Sequence, residues 1–200
     1  IVTIAVGLYA SRIVLNVLGE SDFGIFSLVG GVVVILSFLN SGMLQASQRF
    51  LSYSLGKSDF LDVCRTFWAT WYAHAFLAIV IVIIGEMAGL YVVNYVLSIP
   101  ADRMEAANWV YQCSLFTCAV SVLSVPYNSA IIAHERMDFF AYTSILEAVL
   151  KLLIIYLLLV VSYDKLILYA LLMLTVQVFV RFLYTVYCKR HFEECNSGRT

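Results

Sequence analysis

Charged side chains are scarce in this chain of 200 residues, since Asp, Glu, Lys and Arg together make up 12% and hydrophobic residues make up 62%. A typical soluble domain has about 25% charged residues. A soluble fold of this composition would leave much apolar surface in water. Intrinsic disorder is excluded as well, because it requires low hydrophobicity. The composition therefore indicates an integral membrane protein.

Proline and glycine are also few, with two and ten residues, which excludes collagen-like and low-complexity chains. The twelve basic residues are balanced by thirteen acidic ones, so the sequence offers no basic surface for nucleic acid. The cysteines are scattered, and Cys113 and Cys118 are expected to pack as small hydrophobic side chains. Cys188, His191 and Cys195 supply three ligands where a closed zinc site needs four. We predict no metal, no cofactor and no nucleic-acid partner.

Long apolar runs are present, and they are continuous rather than alternating, which favours helices over a β-barrel. A bilayer core of about 30 Å requires roughly 20 helical residues. This length predicts six transmembrane helices, over residues 1–18, 24–44, 67–97, 109–133, 141–162 and 166–188. The links between them are too short for a catalytic domain, and Ser58 or Asp59 is expected to cap the third helix. The predicted fold is all-α.

Lysine and arginine are unevenly distributed over the predicted loops, which sets the orientation. One side carries Arg49, Lys57, Arg65, Arg136, Lys189, Arg190 and Arg199. The other carries Arg103 and Lys165, with Arg12 just below its surface. Both ends of the segment are therefore predicted to be cytoplasmic. Because the chain opens inside an apolar run without an initiator Met, we expect it to be the front part of a longer protein.

Polar side chains recur within the predicted spans at helical spacing. The fourth span carries Ser114, Thr117, Ser121, Ser124 and Asn128 on one face, and the second carries Ser37, Ser41, Gln45, Gln48 and Ser52, with Arg49 beside them. Arg12 and Asn16 are four residues apart in the first span, as are Gln177 and Arg181 in the sixth. Such stripes either join helices or line a hydrated cavity. Three arginines favour the cavity, with Asn16, Gln45, Ser121, Ser124, Asn128 and Gln177 as lining candidates.

The spans also contain three further ionisable residues and a proline. Glu147 precedes Lys151 by four residues, the favourable order for an ion pair on a helix, which is either structural or a gating or ion-coupling pair. Glu86 is a candidate for binding a cation or proton, or an acid at the membrane interface. Pro126 predicts a kink, which is either a hinge or a packing irregularity.

Several motifs resemble those of a known family. They are Ala10–Gly19 with Asp22–Phe26, then Gln48–Phe50 with Leu55–Asp59, then Pro126–Asn128 with Ala133–Met137, and finally Tyr187–Arg190. In order and position, they are similar to the polysaccharide-type flippases of the multidrug/oligosaccharidyl-lipid/polysaccharide (MOP) exporter superfamily, which include the O-antigen (Wzx-like) translocases. The resemblance covers nearly the whole chain.

The resemblance implies two six-helix lobes around a central cavity, with this chain as the N-terminal lobe and the C-terminal lobe outside it. It implies a transporter, not an enzyme, that moves undecaprenyl-pyrophosphate-linked oligosaccharide across the bacterial inner membrane by alternating access. Arg12, Arg49 and then Arg181 are the expected pyrophosphate-binding residues, because guanidinium groups bind phosphates bidentately. The expected partners are the lipid-linked oligosaccharide, membrane lipid and other polysaccharide-assembly proteins.

Some alternatives stay open. The coupling mechanism is one of them, because the first two spans hold no carboxylate that would form an ion site. The candidate coupling ions are H⁺ and Na⁺. A multidrug cation antiporter of the same superfamily would favour an acidic, aromatic cavity for cationic drugs. A polytopic membrane enzyme of polysaccharide assembly would need reactive side chains on a sizeable external loop. A purely structural helical bundle would have little use for charges inside its spans.

Overall fold

A computed structural model describes residues 2–57, 59–160 and 164–195, without the side chains of residues 2–6, 8 and 35–41. Six α-helices run through the described part: α1 (Val2–Gly56), α2 (Phe60–Ile84), α3 (Met104–Leu123), α4 (Val125–Ala133), α5 (Met137–Val160) and α6 (Lys165–His191). Two π-helical turns, Gly85–Gly89 and Val92–Val96, extend α2. Short 3₁₀ turns precede α3 and follow α6, at Ala101–Arg103 and Glu193–Cys195. The described part of the chain contains no strand, which confirms the all-helical class.

Five segments of the described chain are long and apolar enough to cross a membrane: Tyr9–Val34, Phe60–Val96, Ala101–Ala133, Met137–Val160 and Lys165–His191. Large apolar side chains cover the outside of several of them, as at Phe76, which is 70% exposed. Such surfaces are suited to lipid. These features indicate a membrane-embedded protein. The last four segments correspond to the predicted third to sixth spans, and each begins before the predicted start; residues 161 and 162 lie outside the description.

The helix α1 is interrupted at Gly19, where φ is 85° and ψ is 168°. A side chain is strained at this positive φ, so the position requires glycine. Residues Ser11 and Ser27, each eight positions from Gly19, line the same cavity, as do Gly7 and Gly30. The two parts of α1 therefore lie side by side. The predicted link is reduced to one residue, and the count of six spans stays a prediction, since five apolar segments are found among the described residues.

Local signals in the sequence explain where the other helices begin and end. The predicted cap of α2 is confirmed at Asp59, whose Oδ1 accepts hydrogen bonds from the backbone N–H of Leu61 at 3.0 Å and of Asp62 at 3.4 Å. The break between α3 and α4 lies at Ser124, two residues before Pro126. Proline cannot donate the backbone hydrogen bond that a continuous helix needs. The predicted kink is present, and its role as a hinge stays a prediction.

The segment Ala101–Ala133, which corresponds to the predicted fourth span, lies at the centre of the bundle. Of the most apolar stretch within Ala101–Ala133, 61% is buried, against 22% to 28% in the other four segments. Tyr111 of α3 is fully buried, and its hydroxyl donates a hydrogen bond to the carbonyl of Gly85 at 2.7 Å. A Cβ at Gly89 would overlap that hydroxyl. Glycine therefore allows α2 to approach α3 closely, as small residues do between membrane helices.

Polar contacts close both ends of the bundle. At the end we call the Arg103 end, Arg103 binds Asp22 at 3.1 Å and Asp164 at 2.9 Å, which joins α1, α3 and α6. At the opposite end, the His134 end, His134 Nε2 donates to Glu194 Oε1 at 2.5 Å. This contact joins the residue after α4 to the turn after α6. A cavity lies between the two ends.

Candidate functional site

A central, partly open cavity of about 580 Å³ is lined by α1, α3 and α6, with Lys151 of α5 at its wall. Its side chains with a hydroxyl or amide group are Ser11, Ser27, Ser114, Thr117, Ser121, Tyr169 and Gln177. Two cations, Lys151 and Arg181, also line it. Within the part of the chain that the structure describes, no carboxylate does so. Apolar side chains form much of the remaining wall, so the cavity is of mixed polarity and carries positive charge.

The helical spacing of small and polar residues produces this lining. Ser114, Thr117 and Ser121 follow one another at intervals of three and four residues, so they share a face of α3. The Thr117 hydroxyl donates to the carbonyl of Cys113 at 2.8 Å, which satisfies its proton within the helix. On α1 the wall includes Gly7 and Gly30, whose missing side chains leave space. Ser121 is a predicted lining residue that the structure places here.

An ion pair with an amide partner connects α5 to α6 beside the cavity. Lys151 Nζ lies 2.7 Å from Glu147 Oε1, the contact that their spacing predicts. The same oxygen accepts a hydrogen bond from Gln177 Nε2 at 3.0 Å. Glu147 lies about 15 Å along α5 from Met137, at half the thickness of a bilayer core. A gating or ion-coupling role for the pair stays a prediction.

Arg181 is one turn beyond Gln177 on α6 and lies between two cavities. Besides the central cavity, it lines a side pocket of about 260 Å³ with Trp71, Tyr127 and Phe182. Its guanidinium carbon is 5.7 Å from the centre of the Tyr184 ring. Its Nε is buried and has no hydrogen-bond partner among the described residues. A guanidinium has five N–H donors and no acceptor, so Arg181 holds a buried donor that no described residue satisfies.

The other two arginines expected at the site lie elsewhere. Arg12 and Asn16 are exposed and do not line the central cavity, whereas their α1 neighbours Ser11 and Val14 do. Arg12 follows Ser11 by one position, which turns its side chain about 100° around the helix. Arg49 is exposed near the His134 end of α1, as is the lining candidate Gln45. The structure therefore does not bring Arg12 or Arg49 together with Arg181.

The remaining sequence candidates occupy separate places. Ser124 lines the side pocket, and its hydroxyl donates to the Ser121 carbonyl at 2.7 Å. Asn128 has a buried Oδ1 without a partner in the described part of the chain. Glu86 lies on a π-helical turn, where its Oε2 accepts from Gln112 Nε2 at 3.2 Å, outside the lining of the central cavity. The side chains of Ser37 and Ser41 lie outside the description.

The contact at the His134 end is one that sequence reasoning missed. The His134 ring stacks on Phe192 with ring centres 4.1 Å apart. Burial, the largest single effect, raises the pKa of Glu194, but the hydrogen bond and charge of His134 together with a backbone hydrogen bond outweigh it, so that the pKa lies below its ordinary value. The two contacting positions are 60 residues apart, so no local spacing could reveal them.

Cys188, His191 and Cys195, considered above as metal ligands, do not form a metal site. Cys188 and Cys195 are buried, and a hydrogen bond between them, together with burial, raises the pKa of the Cys195 thiol. His191 is exposed, and its Nδ1 lies 3.1 Å from the Tyr187 carbonyl. Across the described ranges, no group of three or more His, Cys, Asp and Glu residues is arranged to hold a metal ion.

The fold and cavity together define a membrane-embedded helical protein with a cationic cavity in its bundle. Comparison with protein-family models, with curated proteins and with solved structures finds no match. Function is therefore argued from the motifs and the geometry.

Proposed function

We propose that this chain is the N-terminal lobe of a flippase, which moves a pyrophosphate-linked oligosaccharide lipid across the bacterial inner membrane by alternating access. The observation that carries the proposal is the central cavity. It lies beside the Glu147–Lys151 pair, at about half the depth of the bilayer core. Lys151 and Arg181 line it, and no carboxylate among the described residues does so. In this proposal a second lobe, outside this chain, completes the cavity.

The chemistry of the lining suits a diphosphate attached to a sugar. The guanidinium of Arg181 at the cavity wall can form charge-assisted hydrogen bonds to phosphate oxygens. Such bonds gain strength where water is excluded. The serine and threonine hydroxyls both donate and accept, so they match sugar hydroxyls. The volume of about 580 Å³ falls within the usual range for a small-molecule site, about 300–1,000 Å³.

The lining also bears on the alternative transporter. A multidrug cation antiporter would gain from carboxylates in its cavity, whereas Arg181 would repel a cationic drug. Glu147, the nearest acid to the wall, is already paired with Lys151. The geometry therefore favours an anionic cargo.

The test is binding of farnesyl pyrophosphate to the complete protein in lipid nanodiscs, with farnesol and tetraphenylphosphonium as uncharged and cationic comparisons. We expect the pyrophosphate to bind and Arg181→Ala to weaken it by about tenfold or more, since a hydrogen bond to a charged group contributes about 1.5–3 kcal/mol. Arg181→Lys should retain part of the affinity. Arg65→Ala is the matched control, because Arg65 is exposed on α2 and outside the cavity.

Two results would contradict the proposal. Preferential binding of tetraphenylphosphonium would indicate an antiporter, and equal binding of farnesol would show that charge has no part. Alanine substitutions at Arg12 and Arg49 test the site residues that the family resemblance implies against the one that the cavity geometry indicates. If these variants lose as much export of lipid-linked oligosaccharide in cells as Arg181→Ala, the resemblance has assigned them correctly and they act from the outer face of this lobe.

A further inference from the structure

Lys151 is held at the cavity wall by a carboxylate that does not itself line the cavity. Its Nζ lies 2.7 Å from Glu147 Oε1, while its side chain is 37% exposed. The same Glu147 oxygen is fixed by Gln177 from α6 at 3.0 Å. Lys151 thus contacts both the carboxylate and the space where an anion would bind.

We infer that Glu147 is a proton-binding site linked to anionic cargo: when a pyrophosphate occupies the central cavity, Lys151 turns to it and Glu147 takes up a proton from water. The inference rests on the proposed function and goes beyond it, because it names the coupling ion and the residue that carries it. In the empty cavity the Glu147–Lys151 pair is neutral, and Arg181 alone carries an uncompensated charge.

The driving force is the cost of a lone carboxylate at this depth. Glu147 is 23% exposed, so once Lys151 leaves, its negative charge is poorly solvated. An unpaired charge inside a membrane span costs several kcal/mol, and protonation of the acid avoids this cost. Gln177 can serve both forms, because its amide has a donor and an acceptor for the neutral carboxyl group.

Among the described residues, Lys151 is the one cation within ion-pair distance of Glu147. On α6, Gln177 donates a hydrogen bond to Glu147. Glu147 and Arg181 both lie near enough to Tyr184, also on α6, to act on it electrostatically. The adjoining α4 carries no charged side chain. On α1, Asp22 is paired with Arg103, while Arg12, Glu20 and Arg49 are exposed and form no ion pair in the described part of the molecule.

The experiment measures protons taken up when farnesyl pyrophosphate binds to the complete protein in nanodiscs. Titration calorimetry in two buffers of different ionisation enthalpy gives this number directly. We expect wild type to take up about one proton more than Glu147→Gln, and its Kd to rise by about tenfold per pH unit relative to that variant. The difference between the two proteins cancels the protonation of the probe itself.

Glu86→Gln is the matched control. Glu86 also accepts a hydrogen bond from a glutamine, but it has no lysine partner in the described chain and lies outside the cavity lining. Its proton uptake should equal that of wild type. A second variant, Lys151→Gln, should already hold the proton before cargo arrives and so take up none, which keeps the test decisive if Glu147→Gln does not fold.

The outcomes separate the two proposals. Binding of the pyrophosphate with equal proton uptake in wild type and Glu147→Gln would overturn the inference and leave the proposed function standing. Equal loss of uptake in Glu86→Gln would also overturn it. Absence of binding to wild type would refute the proposed function and this inference with it.

Discussion

Among single residues, Gly89 shows how closely two membrane helices can depend on a missing side chain. The Tyr111 hydroxyl occupies the position where a Gly89 Cβ would lie, and it donates to the Gly85 carbonyl at 2.7 Å. Tyr111 is fully buried, so it has no space to withdraw. A methyl group here would separate the helices and break a buried hydrogen bond.

We predict that Gly89→Ala destabilises the protein by about 1–3 kcal/mol, the usual cost of overpacking a core. The readout is the midpoint of thermal unfolding in detergent. Gly31→Ala is the matched control, because no atom lies within 4 Å of a Cβ built there. An unchanged midpoint in Gly89→Ala would show that the π-helical turn adapts at no cost.

Glu194 gives a prediction about pH. Burial alone would raise its pKa above the ordinary value of 4.5, but the contact with His134 and a backbone hydrogen bond together lower it. A carboxyl whose pKa is lowered on folding contributes stability above its ordinary value, and this contribution is lost as the pH falls further, through the folded pKa. We therefore expect the thermal midpoint of wild type to fall below about pH 4.5 more steeply than that of Glu194→Gln. Parallel pH profiles of the two proteins would contradict this assignment.

At the scale of elements, the break between α3 and α4 is the most direct consequence of one residue. Proline in a helix interior costs about 3 kcal/mol, because it removes a hydrogen bond and clashes with the preceding turn. Here the chain relieves the clash by ending α3 at Leu123 and starting again at Val125. The Ser114, Thr117 and Ser121 face of the central cavity lies directly before the break.

We predict that Pro126→Ala raises the thermal midpoint, because α3 and α4 can then join, and lowers the rate of transport without weakening the binding of farnesyl pyrophosphate. The rate follows from the translocation of a fluorescent pyrophosphate lipid in proteoliposomes. Pro100→Ala is the control, since Pro100 precedes the 3₁₀ turn before α3 and interrupts no helix. A Pro126→Ala protein with wild-type transport would exclude the hinge.

Elements were more predictable from the sequence than the site was. Length and hydropathy located four spans, and Asp59 and Pro126 marked a helix start and a break, because these signals act over a few residues. Lys151 and Glu147 were paired correctly for the same reason. The orientation of Arg12 was not predictable, because spacing within one helix does not say which face meets its neighbours. Gln177 could be grouped with Arg181, but its bond to Glu147 depends on how α5 and α6 pack.

For the whole molecule, the cavity lies between two ends whose polar contacts differ in chemistry. At the Arg103 end, one guanidinium binds carboxylates on α1 and on the residue before α6. At the His134 end, an imidazole and a carboxylate hold the last turn against the bundle. A transporter of the proposed kind must open these ends in alternation. An ion pair that joins three elements is suited to this task, because breaking it releases them together.

Removal of Arg103 tests this idea. In Arg103→Gln, Asp22 stays buried at 7% exposure without its cation, so we expect the closed end to be weakened by about 1–3 kcal/mol. A difference of about 1.4 kcal/mol raises the open population tenfold, provided the closed form predominates.

Cys113 lines the central cavity and is buried, which makes it a natural reporter. With the other four cysteines replaced, its labelling by a charged, membrane-impermeant thiol reagent should quicken by about tenfold. Lys57→Gln, which breaks an exposed pair at the other end, should leave the rate unchanged. If Arg103→Gln labels no faster than wild type, the Arg103 cluster stabilises the fold without closing the cavity.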